Sequence, residues 1–105
     1  MENNYSIFIS KNAALDMDSI FSYISKNFEA ENTAIKIISK IREKFDTIAS
    51  NPFAYSIIDN ICTIGKSYRR AVVENYIIYY QINTAISRVE VLRVLYNKRN
   101  FQNLI

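Results

Sequence analysis

The chain has no histidine and no tryptophan, and only one glycine, one proline and one cysteine in 105 residues. Each absence removes a class of chemistry. Without histidine there is no Ser-His or Cys-His nucleophilic pair and no HExxH zinc site. One glycine cannot supply G-x-G-x-x-G or a Walker A loop, so Rossmann dinucleotide binding and P-loop NTPase chemistry are excluded. The lone Cys62 allows no intrachain disulfide and, with no histidine, no structural zinc site. No metal and no cofactor are expected. A reducing cytoplasm suits that cysteine usage. Met1 to Ser10 lacks a basic start followed by a long apolar run. The longest aromatic-aliphatic run, Tyr76 to Tyr80, is far too short to span a bilayer. The expectation is a cytoplasmic chain with no membrane partner.

Half of the residues are apolar and 22% are charged. That mix supports one packed domain over residues 1–105 and argues against disorder. The charge is uneven. Residues 1–50 carry a net −1, residues 51–105 a net +4, and the whole chain +3. A basic second half suits an acidic partner, either nucleic acid or an acidic protein segment. A solvated surface with a slight bias is the plainer reading.

Periodicity sets out the elements. Tyr5 to Ser10 alternates, with Tyr5, Ile7 and Ile9 on one face, and reads as a strand. Asn12 is the expected N-cap of a first helix, with its apolar stripe at Met17, Ile20, Phe21, Ile24 and Phe28. Asp16 and Asp18 fall near its start, where carboxylates suit the helix dipole. Asn27 to Asn32 reads as a turn. Asn32 is the expected cap of a second helix, with Ala34, Ile37, Ile38, Ile41, Phe45 and Ile48 in register. Asn51-Pro52 ends it, because the residue before proline disfavours helical dihedrals. So short a connection makes the two helices an antiparallel hairpin. Residues 53–66 read as irregular, with Ile57-Ile58 and Ile61 to Ile64 as short extended pieces and Gly65 in a tight turn. Three strands follow: Tyr68 to Val73, Tyr76 to Ile82 and Arg88 to Tyr96, rich in β-branched and aromatic residues. Glu74-Asn75 and Asn83 to Ser87 are their turns. The tail from Asn97 to Ile105 is polar, with Phe101, Leu104 and Ile105. The fold class is α+β in the order β-α-α-β-β-β, with the N-terminal strand and helical hairpin packed on one face of an antiparallel sheet.

Strand alternation sorts the sheet residues into two faces. Ile78, Tyr80, Ile82, Leu92 and Val94 are assigned to the helix-packed core. Tyr79, Gln81, Val91, Arg93 and Arg69 fall on the open face. A mixed aromatic, apolar and basic face of that kind is a binding surface unless the tail folds over it.

Two runs now resemble a known family. They are Tyr68-Arg69-Arg70-Ala71-Val72-Val73-Glu74-Asn75-Tyr76-Ile77-Ile78-Tyr79-Tyr80-Gln81-Ile82 and Val89-Glu90-Val91-Leu92-Arg93-Val94-Leu95-Tyr96. Both resemble the sheet region of RelE/ParE toxins. Ala14-Leu15-Asp16-Met17-Asp18-Ser19-Ile20, ending in Tyr23-Ile24, is similar to their first helix. The resemblance covers nearly the whole chain. It implies the toxin of a type II toxin–antitoxin module, of the kind often called plasmid stabilisation proteins, neutralised by a cognate antitoxin. Operator DNA would be reached only through that antitoxin. RelE-like members cut mRNA on the ribosome, whereas ParE-like members inhibit DNA gyrase. Nuclease chemistry needs cations beside the scissile phosphate and a group to activate the 2′-hydroxyl. Arg69 matches one basic position of the RelE pattern. Ala71 and Ile77 occupy positions where that pattern places basic residues. The blocks Asn75-Tyr76-Ile77-Ile78-Tyr79-Tyr80 and Arg93-Val94-Leu95 are more ParE-like, with Tyr96 where ParE often carries histidine. The resemblance therefore favours a non-enzymatic gyrase inhibitor, with an mRNA endonuclease as the alternative.

Target or antitoxin contacts are expected at Arg69, Tyr79, Gln81, Val91, Arg93, Lys98 and Arg99. A nuclease would use Arg69, Arg93, Tyr96 and Arg99. Each has a plainer structural reading. Arg93, mid-strand among apolar neighbours, would be a buried cation paired with Glu74 or Glu90. Arg69 and Arg70 alternate faces, so one of them serves structural pairing. Tyr79 would stack on a base or pack on an antitoxin side chain. Lys98 and Arg99 would be solvated.

Overall fold

The computed structural model describes residues 5–27, 30–63 and 66–98, and for residues 59–63 and 66 only the backbone. The elements are β1 (Ser6–Ile9), α1 (Lys11–Asn27), α2 (Glu31–Ser50), a 3-10 turn (Pro52–Ala54), β2 (Ser56–Thr63), β3 (Lys66–Val73), β4 (Tyr76–Asn83), a second 3-10 turn (Thr84–Ile86) and β5 (Arg88–Tyr96). They form one five-stranded sheet in the order β1-β5-β4-β3-β2. Neighbours from β2 to β5 are antiparallel, and β1 joins β5 in parallel. The expected α+β class and element order hold, with one strand more than the periodicity suggested.

That strand is β2. Asp59-Asn60 interrupts its apolar pattern, so the segment reads as irregular in isolation. The sheet accepts it as an edge strand with a break in register between Ile57 and Cys62. Pairing to β3, not local propensity, makes it a strand. The expected turn at Gly65 lies outside the described residues, as does the tail from Arg99 to Ile105.

The helices begin one or two residues before their expected caps. Ser10, not Asn12, caps α1: its hydroxyl accepts the Ala13 N–H at 3.0 Å and donates to the Leu92 carbonyl at 2.9 Å. One serine thus starts the helix and ties it to β5. Asn32 lies inside α2, which starts at Glu31 after Ala30 without a side-chain cap. Asn51-Pro52 ends that helix as expected. No acidic residue falls in the first turn of α1, so Asp16 is not a dipole group.

The helices cover one sheet face. Met17, Ile20 and Ile24 of α1 and Ala34, Ile41, Phe45 and Ile48 of α2 pack with Ala71, Ile78, Tyr80, Val89, Val91 and Val94. The Tyr80 hydroxyl is buried and donates to the Pro52 carbonyl at 2.7 Å. Burial pushes its pKa up to about 12, against a partial lowering by Arg69. At the hairpin turn Glu74 has φ 54°, and its carboxylate pairs with Lys40 of α2 at 2.8 Å.

A β-bulge decides the face of two residues. Tyr79 stands opposite Arg93 and Tyr80 opposite Val91, so Leu92 is the extra residue on β5. An extra residue reverses the alternation from that point. Val91 therefore lies in the helix-side core, fully buried, and not on the open face. Leu92 goes the other way and packs beside Ile77, Tyr79 and Leu95 on the second face. Arg69 is likewise corrected. It pairs with Tyr80 and alternates with buried Ala71, so it belongs to the helix side. Arg70, opposite Tyr79, is the exposed arginine of the second face.

Candidate functional site

Where β1 ends, the outer edge of β5 loses its strand neighbour. The unpaired edge would expose backbone donors and acceptors. Here α1 replaces the strand. Ser10 takes the Leu92 carbonyl, and Asp16 Oδ2 accepts the Val94 N–H at 3.0 Å. The same carboxylate holds Arg93 in a fork, Nε to Oδ2 and Nη2 to Oδ1, each 2.8 Å. The side chains are 18% and 12% exposed. The hydrogen bond to Asp16 is the largest cause of the raised pKa of Arg93. The carboxylate expected for Arg93 is thus Asp16, not Glu74 or Glu90. Glu74 pairs with Lys40, and Glu90 with Arg88.

The Asp16–Arg93 pair lies in a groove of about 910 Å³ between the helices and the ends of β4 and β5. Tyr23 and Ile37 wall it from the helices, and Tyr76 and Tyr96 from the sheet. The Tyr76 and Tyr96 rings meet edge-on, with centroids 6.0 Å apart. Burial raises the pKa of Tyr76, and the nearby Tyr96 and Tyr23 phenols add to the shift. Tyr23 and Tyr96 are 58% and 45% exposed. Exposed aromatics with a polar tip suit a recognition surface.

Two strands away on β3, Arg69 is held by the chain itself. Its Nη1 donates to the Tyr55 carbonyl at 2.6 Å and the Phe53 carbonyl at 3.4 Å. Its guanidinium lies 5.4 Å from the centre of the Phe53 ring. Ala71 is buried in the core and Ile77 in the second-face cluster.

The second face carries that cluster and a polar strip. Tyr79 is buried with Ile77 and Leu95, so its ring is packing and not an open platform. Burial raises its pKa, and Arg70 partly offsets the rise. The Gln81 amide donates to Glu90 Oε1 at 2.8 Å. Arg88 grips Glu90 Oε2 through Nε at 3.2 Å and Nη2 at 2.8 Å, and covers the Phe8 ring at 4.7 Å. The Arg88 bond is the largest cause of a lowered Glu90 pKa, followed by that from Gln81.

The expected site residues are therefore dispersed. Arg93 and Tyr96 share the groove. Arg69 lies two strands away on β3, Val91 is in the core, and Tyr79 and Gln81 lie on the second face. Lys98 is exposed. Arg99 lies outside the described residues. The sequence reading missed Asp16, Tyr23, Tyr76 and Arg70. Two signals were present. Asp16 sits beside Met17 and four residues before Ile20, on the flank of the buried stripe. Ala71, small enough for a core position, sets the parity that turns Arg70 outward. Among the described residues no group of three His, Cys, Asp or Glu could hold a metal, and no helix is long and apolar enough to cross a membrane.

The fold and sequence have known relatives. The structure resembles a chain of the chromosomal ParDE system from P. aeruginosa, with TM-score 0.71, 16% identity, and 90% of this chain and 97% of that one covered. It also resembles a chain of the archaeal RelE–RelB complex from Pyrococcus horikoshii OT3, with TM-score 0.63, 16% identity, and 92% and 99% covered. A third similarity is to the toxin–antitoxin complex RelBE2 from Mycobacterium tuberculosis, with TM-score 0.61, 17% identity, and 89% and 98% covered. At these identities the likeness is one of fold. No curated protein sequence matches. The family described as the ParE toxin of the type II toxin–antitoxin system, parDE, matches residues 7–101. With nearly the whole chain matched, this protein belongs to the ParE toxin family of type II toxin–antitoxin systems.

Proposed function

We propose that this toxin acts without chemistry of its own, as an inhibitor of DNA gyrase in the cytoplasm, and is neutralised by a cognate antitoxin seated in the groove beside Arg93. The observation that carries this reading is the engagement of the would-be nuclease cations. Arg69 on β3 is tied to the Phe53 and Tyr55 carbonyls, and Arg93 on β5 to Asp16 of α1, so each is committed to a different element on its own side of β4. RNA cleavage needs cations converging on one phosphate and an acid–base group beside it. The chain has no histidine for that role, and Ala71 and Ile77 are buried apolar side chains. The similar fold of the archaeal RelE–RelB complex and of the toxin–antitoxin complex RelBE2 supports an antitoxin partner. The exposed tyrosines on the groove give it a surface to cover.

Pulse labelling after induction without antitoxin tests the target. DNA synthesis falls before protein synthesis, and purified toxin blocks supercoiling by gyrase with trapped cleavage complexes. Protein synthesis stopping first, with codon-phased cuts by primer extension, overturns the reading in favour of a ribosome-dependent mRNA endonuclease. Unimpaired growth identifies a non-toxic member kept for antitoxin binding.

A further inference from the structure

We propose that Arg93 is the recognition point at the floor of the groove, and that it receives an uncharged carbonyl oxygen from the docked antitoxin segment. This rests on the antitoxin reading above and adds the chemistry of the contact.

A guanidinium has five N–H donors in a fixed fork. Arg93 spends one from Nε and one from Nη2 on Asp16. Among the described residues the remaining donors, both of those on Nη1 included, have no acceptor. The side chain keeps 18% of its surface exposed and lines the groove. These donors are already aimed. Asp16 fixes the fork, and the Val94 N–H together with α1 fixes Asp16. A partner atom that meets them therefore freezes little that was mobile.

Charge selects the acceptor. Asp16 already neutralises Arg93, so the pair offers no net charge to a second carboxylate. Such a carboxylate would lose its water in the groove without gaining a counterion of its own. A partner cation is no better served, because Arg93 already neutralises Asp16 and three of the roughly four acceptor sites of the carboxylate are taken. An amide carbonyl needs only a donor and carries no charge to desolvate. The same fold contains the finished contact: Arg69, with no carboxylate partner among the described residues, takes the Tyr55 and Phe53 carbonyls through Nη1. Tyr23, Tyr76 and Tyr96 line the same groove as Arg93 and would help to exclude water from the bond once a segment is seated.

The test uses the full chain and, as the probe, the purified product of the small reading frame adjacent to its gene. Side-chain NMR of the wild-type protein follows the Arg93 Nε and Nη protons during titration. At saturation the Nη protons shift and their exchange with solvent slows at least tenfold. Arg93→Lys, which keeps the charge but loses the fork, raises Kd at least tenfold. The Kd penalty of Arg93→Gln relative to the wild type changes less than threefold between 50 and 300 mM salt, whatever the salt dependence of the rest of the interface. Unchanged Nη exchange in a saturated complex overturns the proposal and leaves the antitoxin reading standing. A penalty that shrinks steeply as salt rises identifies a charged acceptor, a carboxylate, at Arg93 and also overturns it. No binding by the wild-type protein overturns both. The NMR arm needs no variant, so it decides even if Arg93→Lys fails to fold.

Discussion

At one end of the helix–sheet layer α2 and the sheet close on each other. At the other end they part around a groove. The same helix serves both. Its C-terminal half brings Phe45 and Ile48 onto the core, and Tyr80 reaches across to the Pro52 carbonyl. Its N-terminal half supplies Ile37 to the groove wall. One arginine belongs to each kind of packing. Arg69 is satisfied by carbonyls of the chain and lies against a ring. Arg93 is neutralised by a carboxylate and keeps donors open. The difference teaches where stability and recognition reside. Closed packing with internal acceptors leaves a partner nothing to bind. A neutralised but unsaturated ion pair beside exposed tyrosines does.

Substitutions can break this contrast. The largest effect is expected at the closed layer: Ile41→Ala, at a fully buried position, should cost about 3–4 kcal/mol in urea unfolding, through lost burial and a cavity. A loss under about 1 kcal/mol would mean that the layer is looser than the contacts indicate. Asp16→Ala comes next. It strands the Arg93 guanidinium and the Val94 N–H, and should cost about 3 kcal/mol. If it costs nothing, the pair does not brace α1 against β5.

Tyr80→Phe should cost about 1–2 kcal/mol, because the buried Pro52 carbonyl loses its donor. It should also change the alkaline limb. A phenol whose pKa rises on folding stabilises the fold fully below its unfolded pKa, near 10, and that stability is lost as pH rises toward its folded pKa of about 12. The urea midpoint of the wild type should therefore fall between about pH 10 and 12, and Tyr80→Phe should flatten much of that fall. The raised pKa values of Tyr76 and Tyr79 leave a remainder. An unaltered slope would remove Tyr80 as its main source.

The smallest stability effect is expected at the open end. Tyr96→Ala removes a half-exposed ring and should shift stability by less than about 1 kcal/mol, while antitoxin binding weakens severalfold. The reverse pattern, an unstable variant that still binds, would show that the groove rim is packing.

Much of the fold was legible. Both helices, the strands β1, β3, β4 and β5, and the stop at Asn51-Pro52 follow from periodicity and turn chemistry. β2 was not, because Asp59-Asn60 breaks its pattern and only pairing with β3 makes it a strand. The site was less legible. Arg93 and Tyr96 could be singled out, but their neighbours come from residues about 60 to 80 positions away in α1 and α2.

By itself the sequence determined the order of the two helices and of four of the five strands, the apolar stripes and the absence of histidine-dependent chemistry, because those depend on spacing and composition within one segment. The tertiary structure decided the rest. One extra residue at Leu92 put Val91 into the core, because a shift of one in a period of two reverses the face of a side chain. The end of β1 at Ile9 left an edge that α1 covers, so Asp16 became the partner of Val94 and Arg93. Which arginine is locked and which keeps donors to offer depends on contacts between distant segments, and no local pattern carries them.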